Sequence, residues 1–151
     1  MRKFSILVFF ITYGLFYVSS ILFPIDLSWY NALDKPAWTP SGMTIGIIWA
    51  VLYGLIAFSV NIIFNKYNLK PKLFWSIFVL NYILNQAFSF FQFHQKNLLL
   101  GTIDCLLVAV TAFLLIIYSF RLSKVAGWLL IPYLLWTTFA TYLSWTIYIM
   151  N

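Results

Sequence analysis

Carboxylates are almost absent from this chain: Asp26, Asp34 and Asp104 are its only acidic residues, and charged residues of both signs make up 8% of it. Histidine and cysteine occur once each, as His94 and Cys105. The lone thiol excludes an intramolecular disulfide, and no cysteine/histidine cluster exists to hold a metal. No general acid–base pair or nucleophile–base pair lies within the apolar stretches, which disfavours hydrolytic chemistry. What fills the chain is apolar. Of its 151 residues 64% are hydrophobic and the mean hydropathy is +0.94, far outside soluble globular composition.

Such a composition marks an integral membrane protein. Five stretches, approximately 4–23, 44–64, 73–93, 98–120 and 125–149, are long and apolar enough to cross a bilayer core of about 30 Å. Only Asp104 puts a charge inside one of them. The expected fold is an all-α membrane protein, a five-transmembrane-helix bundle forming one domain over 1–151, with a structured loop at about 24–43 acting as a lid. The apolar run at the N-terminus continues to Phe23, longer than a secretory h-region, so it is expected to stay as the first span.

The net charge of +6 does not point to nucleic acid, because the cations are segregated by side. Arg2, Lys3, Lys66, Lys70, Lys72, Arg121 and Lys124 fall on one side of a five-span bundle, Lys35 and Lys96 on the other. By the positive-inside rule the N-terminus is expected in the cytoplasm, with the lid and the C-terminus outside.

The lid is stiffened by Pro36 and Pro40, which fix their own φ and push Lys35 and Thr39 out of helical geometry. It carries Trp29, Tyr30 and Trp38, too many large aromatics to leave in water, so it is read as a non-helical segment folded down onto the helix ends. Asp34 beside Lys35 reads as a solvated pair of little energetic weight.

Along the spans, Tyr13, Tyr17 and Ser20 make a mildly polar stripe on the first, suited to helix contact or to a ligand. Gly46, Ala50 and Gly54 on the second, and Gly101, Cys105 and Ala109 on the fourth, are ladders of small residues that permit close approach of another backbone. Trp49 and Tyr53 flank the first ladder and face either the bundle interior or an interfacial belt. Asn81, Asn85, Phe88 and Gln92 share one face of the third span. Amides in hydrocarbon must find partners, so this stripe either lines a cavity or bonds between helices. Asp104 is shallow enough to meet the lid or water. Pro132 is expected to bend the fifth span unless neighbours compensate. Trp75, Trp128 and Trp145 sit at span ends as a belt, which leaves Trp49 and Trp136 deeper.

The segments WYNALDKPAW-TP in the lid, W-x3-Y at Trp49 and Tyr53, LN-x3-S-x-F from Leu84 to Phe91, and PY-x2-W-x2-FA-x2-L in the fifth span jointly resemble the TspO/MBR family, the tryptophan-rich sensory or translocator proteins, and especially its Bacillus-type members. Ser41, Phe88 and Ser144 depart from residues common in the family. The resemblance implies five helices around a pocket under the first loop, commonly in a homodimer, and ligands that are porphyrins such as protoporphyrin IX or isoquinoline carboxamide and benzodiazepine-type drugs. Carried over by position, Tyr30, Pro40, Trp49, Tyr53, Asn85, Phe88, Ser89, Gln92, Cys105, Trp136, Ala140, Leu143 and Ser144 would line that pocket. No cofactor or metal is required; porphyrin is ligand or substrate. Some bacterial members consume protoporphyrin in a light- and oxygen-dependent reaction that needs paired tryptophans, a role that would fall to Trp49 and Trp136. Whether this chain is an enzyme stays open on sequence. A tetrapyrrole transporter is the alternative reading, though internal repeats and ion-coupling residues are missing. Cholesterol is not supported, since no basic residue follows Tyr148.

Overall fold

A computed structural model describes residues 3–151, with side chains from Ile6 onward. Arg2 lies outside the described residues, and of Lys3 only the backbone is described. The chain forms α1 (Lys3–Leu15), α2 (Val18–Leu22), α3 (Leu27–Ala32), α4 (Gly42–Tyr67), α5 (Lys72–Ser89), a π-helical turn (Phe90–His94), α6 (Leu98–Leu122) and α7 (Lys124–Met150). Four helical rods, α4, α5 with its π turn, α6 and α7, are long and apolar enough to span a membrane, and α1 with α2 supplies a shorter bent fifth. The architecture is an all-helical bundle consistent with five membrane crossings.

Short polar residues set the helix starts. Asp26 accepts from the Trp29 amide at 3.1 Å, Ser41 from Thr44 at 3.2 Å, Asn97 from Leu100 at 3.0 Å and Ser123 from Ala126 at 3.4 Å, each occupying an amide that would otherwise be orphaned. Ser41 thus has a purpose of its own as the N-cap of α4. Asn68, at φ 51°, turns the chain out of α4.

Two expectations about the elements need correction. The first span is not one helix: it breaks at Phe16–Tyr17, between α1 and α2. The backbone groups around the break are taken up by α5. Tyr82 Oη donates to the Leu15 carbonyl at 2.8 Å, Gln86 Nε2 to the Phe16 carbonyl at 3.1 Å, and the Ser19 amide donates to Gln86 Oε1 at 2.9 Å. Broken helix is tolerated at membrane depth where a neighbour bonds the freed groups. The lid is not wholly non-helical, because α3 lies inside it and α4 already begins at Gly42. Pro132 lies inside α7, which continues past it to Met150.

The core sits among α4, α5, α6 and α7, around Leu52, Ile56, Ile63, Phe74, Leu115, Leu130 and Tyr133, with Phe16 inserted from the break between α1 and α2. The ladder on α6 packs within the chain: Gln92 lies directly over Gly101, and Cys105 and Ala109 are buried. The ladder on α4 is packed more loosely. Gly54 meets only the Tyr13 ring, 3.8 Å from where a Cβ would stand, and Gly46 has open space.

Candidate functional site

The lid is fastened to the helix ends at three points. Lys96 bridges to Asp26 at 3.0 Å. The Asn151 side-chain amide accepts from the Asp34 N–H at 3.0 Å and donates to the Asp34 carbonyl at 2.8 Å. Trp38 stacks on Tyr142 of α7, with ring centres 5.5 Å apart, and meets Phe139 edge-on at 5.7 Å. The lid, the 94–97 loop and the end of α7 therefore share one end of the bundle. Hydrogen bonds from Ser28 and Lys96, and from the Trp29 amide, hold the Asp26 carboxyl well below the usual carboxylate range. Lys35 does not pair with Asp34: its ammonium bonds the carbonyls of Tyr30 at 2.7 Å and Leu33 at 3.1 Å. It also lies 4.6 Å from the centre of the half-buried Tyr30 ring, whose hydroxyl burial pushes up in pKa.

Beneath the lid, the residues expected to line a pocket divide into two groups. The first belongs to a hydrogen-bonded seam. Tyr133 Oη donates to Asn81 Oδ1 at 2.9 Å and accepts from Asn85 Nδ2 at 3.1 Å. Asn81 Nδ2 donates to the Val108 carbonyl at 3.1 Å and to Thr111 Oγ1 at 2.8 Å, while Gln86 Nε2 donates to Asn85 Oδ1 at 3.1 Å. Of the two readings of the amide stripe, Asn81 and Asn85 take the interhelical one. Ser89 turns to Ser19 of α2 at 3.3 Å, Phe88 meets Phe93 edge-on, and the Cys105 thiol approaches the Thr137 carbonyl at 3.9 Å. Leu143 and Ser144 are buried, and Pro40 and Ala140 are half-buried.

The second group is aromatic and lies toward α4. Trp49 packs on Tyr53 at 5.4 Å and edge-on to Tyr133 at 6.3 Å, and Tyr53 continues to Phe16 at 5.0 Å. Trp136 packs on Phe139 at 5.3 Å, the ring that Trp38 of the lid also touches. Trp136 lines a recess of about 460 Å³ between α4 and α7, with Ile47, Ile48, Val51, Leu52, Leu55, Pro132 and Leu135. This recess opens outward, since Val51 and Leu135 are 57% and 65% exposed. Of the thirteen expected lining residues only Trp136 borders it. Its other walls were missed because an apolar residue beside a recess and one facing lipid read alike in sequence. The sole signal was Pro132, one turn before Trp136.

Several buried polar atoms have no partner: Gln92 Oε1, both oxygens of Asp104 and the Trp136 indole N–H among them. Asp104 is 3% exposed and neither of its oxygens bonds the lid, so it meets neither lid nor water. Among the described residues no group of three His, Cys, Asp or Glu side chains gathers to hold a metal.

With the lid, the seam and the two deep indoles located, the chain can be set beside known proteins. The TspO/MBR family model matches residues 5–150. The chain belongs to the TspO/MBR family. It is 72% identical to the tryptophan-rich protein TspO of Bacillus cereus over 151 residues, covering 100% of this chain and 99% of that one. It is 54% identical to the membrane protein YtaB of Bacillus subtilis, covering 97% and 96%. The human translocator protein is similar at 26% identity, covering 89% of this chain and 82% of its own. As a TspO/MBR protein the chain is an integral membrane protein of a family of sensors and translocators.

Proposed function

We propose that this TspO/MBR protein is a membrane receptor for flat, largely apolar ligands, with porphyrins such as protoporphyrin IX as the leading class and isoquinoline carboxamide or benzodiazepine-type molecules as synthetic ones. One observation carries the reading: the apolar recess of about 460 Å³ is walled by Trp136, whose buried indole N–H lacks an acceptor. Small-molecule sites are typically concave, about 300–1,000 Å³, mostly apolar, with a few directed polar groups. An aromatic macrocycle gains stacking on Trp136 and apolar contact with the α4 and α7 walls beside it. Trp38 of the lid and Trp136 of the recess wall touch the same ring, Phe139, which is the one contact between them. Sensing requires only that binding alters the lid or a partner surface.

The test is a titration of purified protein with protoporphyrin IX, following tryptophan fluorescence and the Soret band together. Saturable quenching is expected, with Trp136→Phe removing a larger share of it than Trp145→Phe. Linear, unsaturable quenching, or equal shares from both indoles, places the porphyrin elsewhere. Illuminating the same samples examines turnover. Soret decay that is equal in wild type, Trp49→Phe, Trp136→Phe and protein-free detergent rejects catalysis by these indoles.

A further inference from the structure

The two ends of the bundle treat charge in opposite ways. At the lid end, Asp26 and Asp34 accompany Lys35 and Lys96, and the cations are spent on Asp26 and on backbone carbonyls. At the other end stand Lys66, Lys70, Lys72, Arg121 and Lys124, all exposed, and no carboxylate at all. Among the described residues the only ion pair is Asp26–Lys96.

Position within the helices sharpens this. Lys66 and Arg121 lie in the last turns of α4 and α6, where the negative end of the helix dipole favours a cation. Lys72 and Lys124 are instead the first residues of α5 and α7, at the positive dipole ends, with no acid in either first turn. Two cations therefore sit where the fold itself disfavours them. The helix ends that carry them are fixed to one another. Tyr67 Oη donates to the Leu122 carbonyl at 3.0 Å, joining the end of α4 to the end of α6, and Ser59 Oγ of α4 donates to the Ala126 carbonyl in the first turn of α7 at 2.9 Å. Trp75 Nε1 donates to the Asn68 carbonyl at 3.0 Å, and Trp128 is exposed. These rings, with Tyr67 and Tyr118, put this end at the depth where membrane aromatics meet headgroups.

We infer that the face formed by Lys66, Lys70, Lys72, Arg121 and Lys124 is a docking surface for anionic phospholipid, its phosphodiester headgroups supplying the negative charge that the chain itself lacks. The partner is a lipid because the cations ring an end of the bundle at headgroup depth. Basic side chains near an anionic bilayer surface each contribute on a scale that salt screens. The inference is independent of the ligand proposed above and of which way the bundle faces.

The experiment compares thermal unfolding of wild type and Lys72→Gln/Lys124→Gln in nanodiscs of phosphatidylcholine alone and with phosphatidylglycerol. Wild type is expected to gain about 2–4 °C per cation engaged when the anionic lipid is present, and to lose that gain in high salt. The double variant should be the more stable protein in phosphatidylcholine, where it relieves cation against dipole, and should lose this advantage in the anionic discs. Lys96→Gln, at the opposite end, should shift equally in both. A double-variant effect of the same sign and size in the two lipids overturns the inference. So does inorganic phosphate giving the full gain in phosphatidylcholine, which would assign the surface to free anions.

Discussion

The seam between α5, α6 and α7 and the face shared by α4 and α7 both draw on α7, and they solve the membrane problem differently. In the seam, Tyr133 is a hub whose hydroxyl both donates and accepts, and Asn81 uses its nitrogen on α6 and its oxygen on α7. On the α4 side, the groups facing out are Val51, Leu135 and Pro132, with no polar partner for the Trp136 N–H. Amides placed where other helices satisfy them fix how the rods pack. Apolar groups left around a recess fix nothing and leave room. The seam therefore reads as what holds the bundle, and the recess as what it can hold.

That contrast can be broken in four ways. Asn81→Leu should have the largest effect, because it removes bonds to Val108, Thr111 and Tyr133 at once; about 2 kcal/mol of stability should go, read as a lower unfolding temperature in nanodiscs. Val51→Trp fills the recess from its exposed wall, so porphyrin affinity should fall about tenfold, some 1.4 kcal/mol, with the unfolding temperature unchanged. Asp104→Asn exchanges an unpartnered buried carboxyl for a neutral amide and should raise stability by about 1 kcal/mol, read in the same unfolding assay. The smallest effect belongs to the lid clip. The Asp26 carboxyl is held below its ordinary range, so its contribution is present above the unfolded pKa and is lost only as pH falls through the lower folded value. Protection of the 27–33 amides, taken relative to their intrinsic exchange rates, should therefore stay constant from neutral pH down to the ordinary carboxylate pKa and fall below it, and Lys96→Gln should lower it slightly at every pH above that point.

The sequence carried the spans and the aromatic lid well, because length, hydropathy and proline are local signals. Helix starts were equally local: Asp26, Asn97, Ser41 and Ser123 are capping residues just ahead of apolar runs. What stayed hidden depended on partners far along the chain. Nothing near Phe16 announces that Gln86 and Tyr82, some seventy positions on, will take up the carbonyls of a broken helix. Likewise, the face with Asn81 and Asn85 was legible as polar, but only Tyr133 decides that it is glue. Gln92, on the same stripe, ends over Gly101 with its oxygen unpaired, so one periodicity covered two fates.

The most direct measurement of the central claim is a Soret-band titration with protoporphyrin IX of wild type, Val51→Trp and Ala140→Leu in identical nanodiscs. If the porphyrin occupies the α4–α7 recess beside Trp136, Val51→Trp weakens binding about tenfold and Ala140→Leu, which does not border the recess, weakens it less. Unchanged affinity in Val51→Trp with a large loss in Ala140→Leu contradicts the assignment and moves the ligand into the bundle interior.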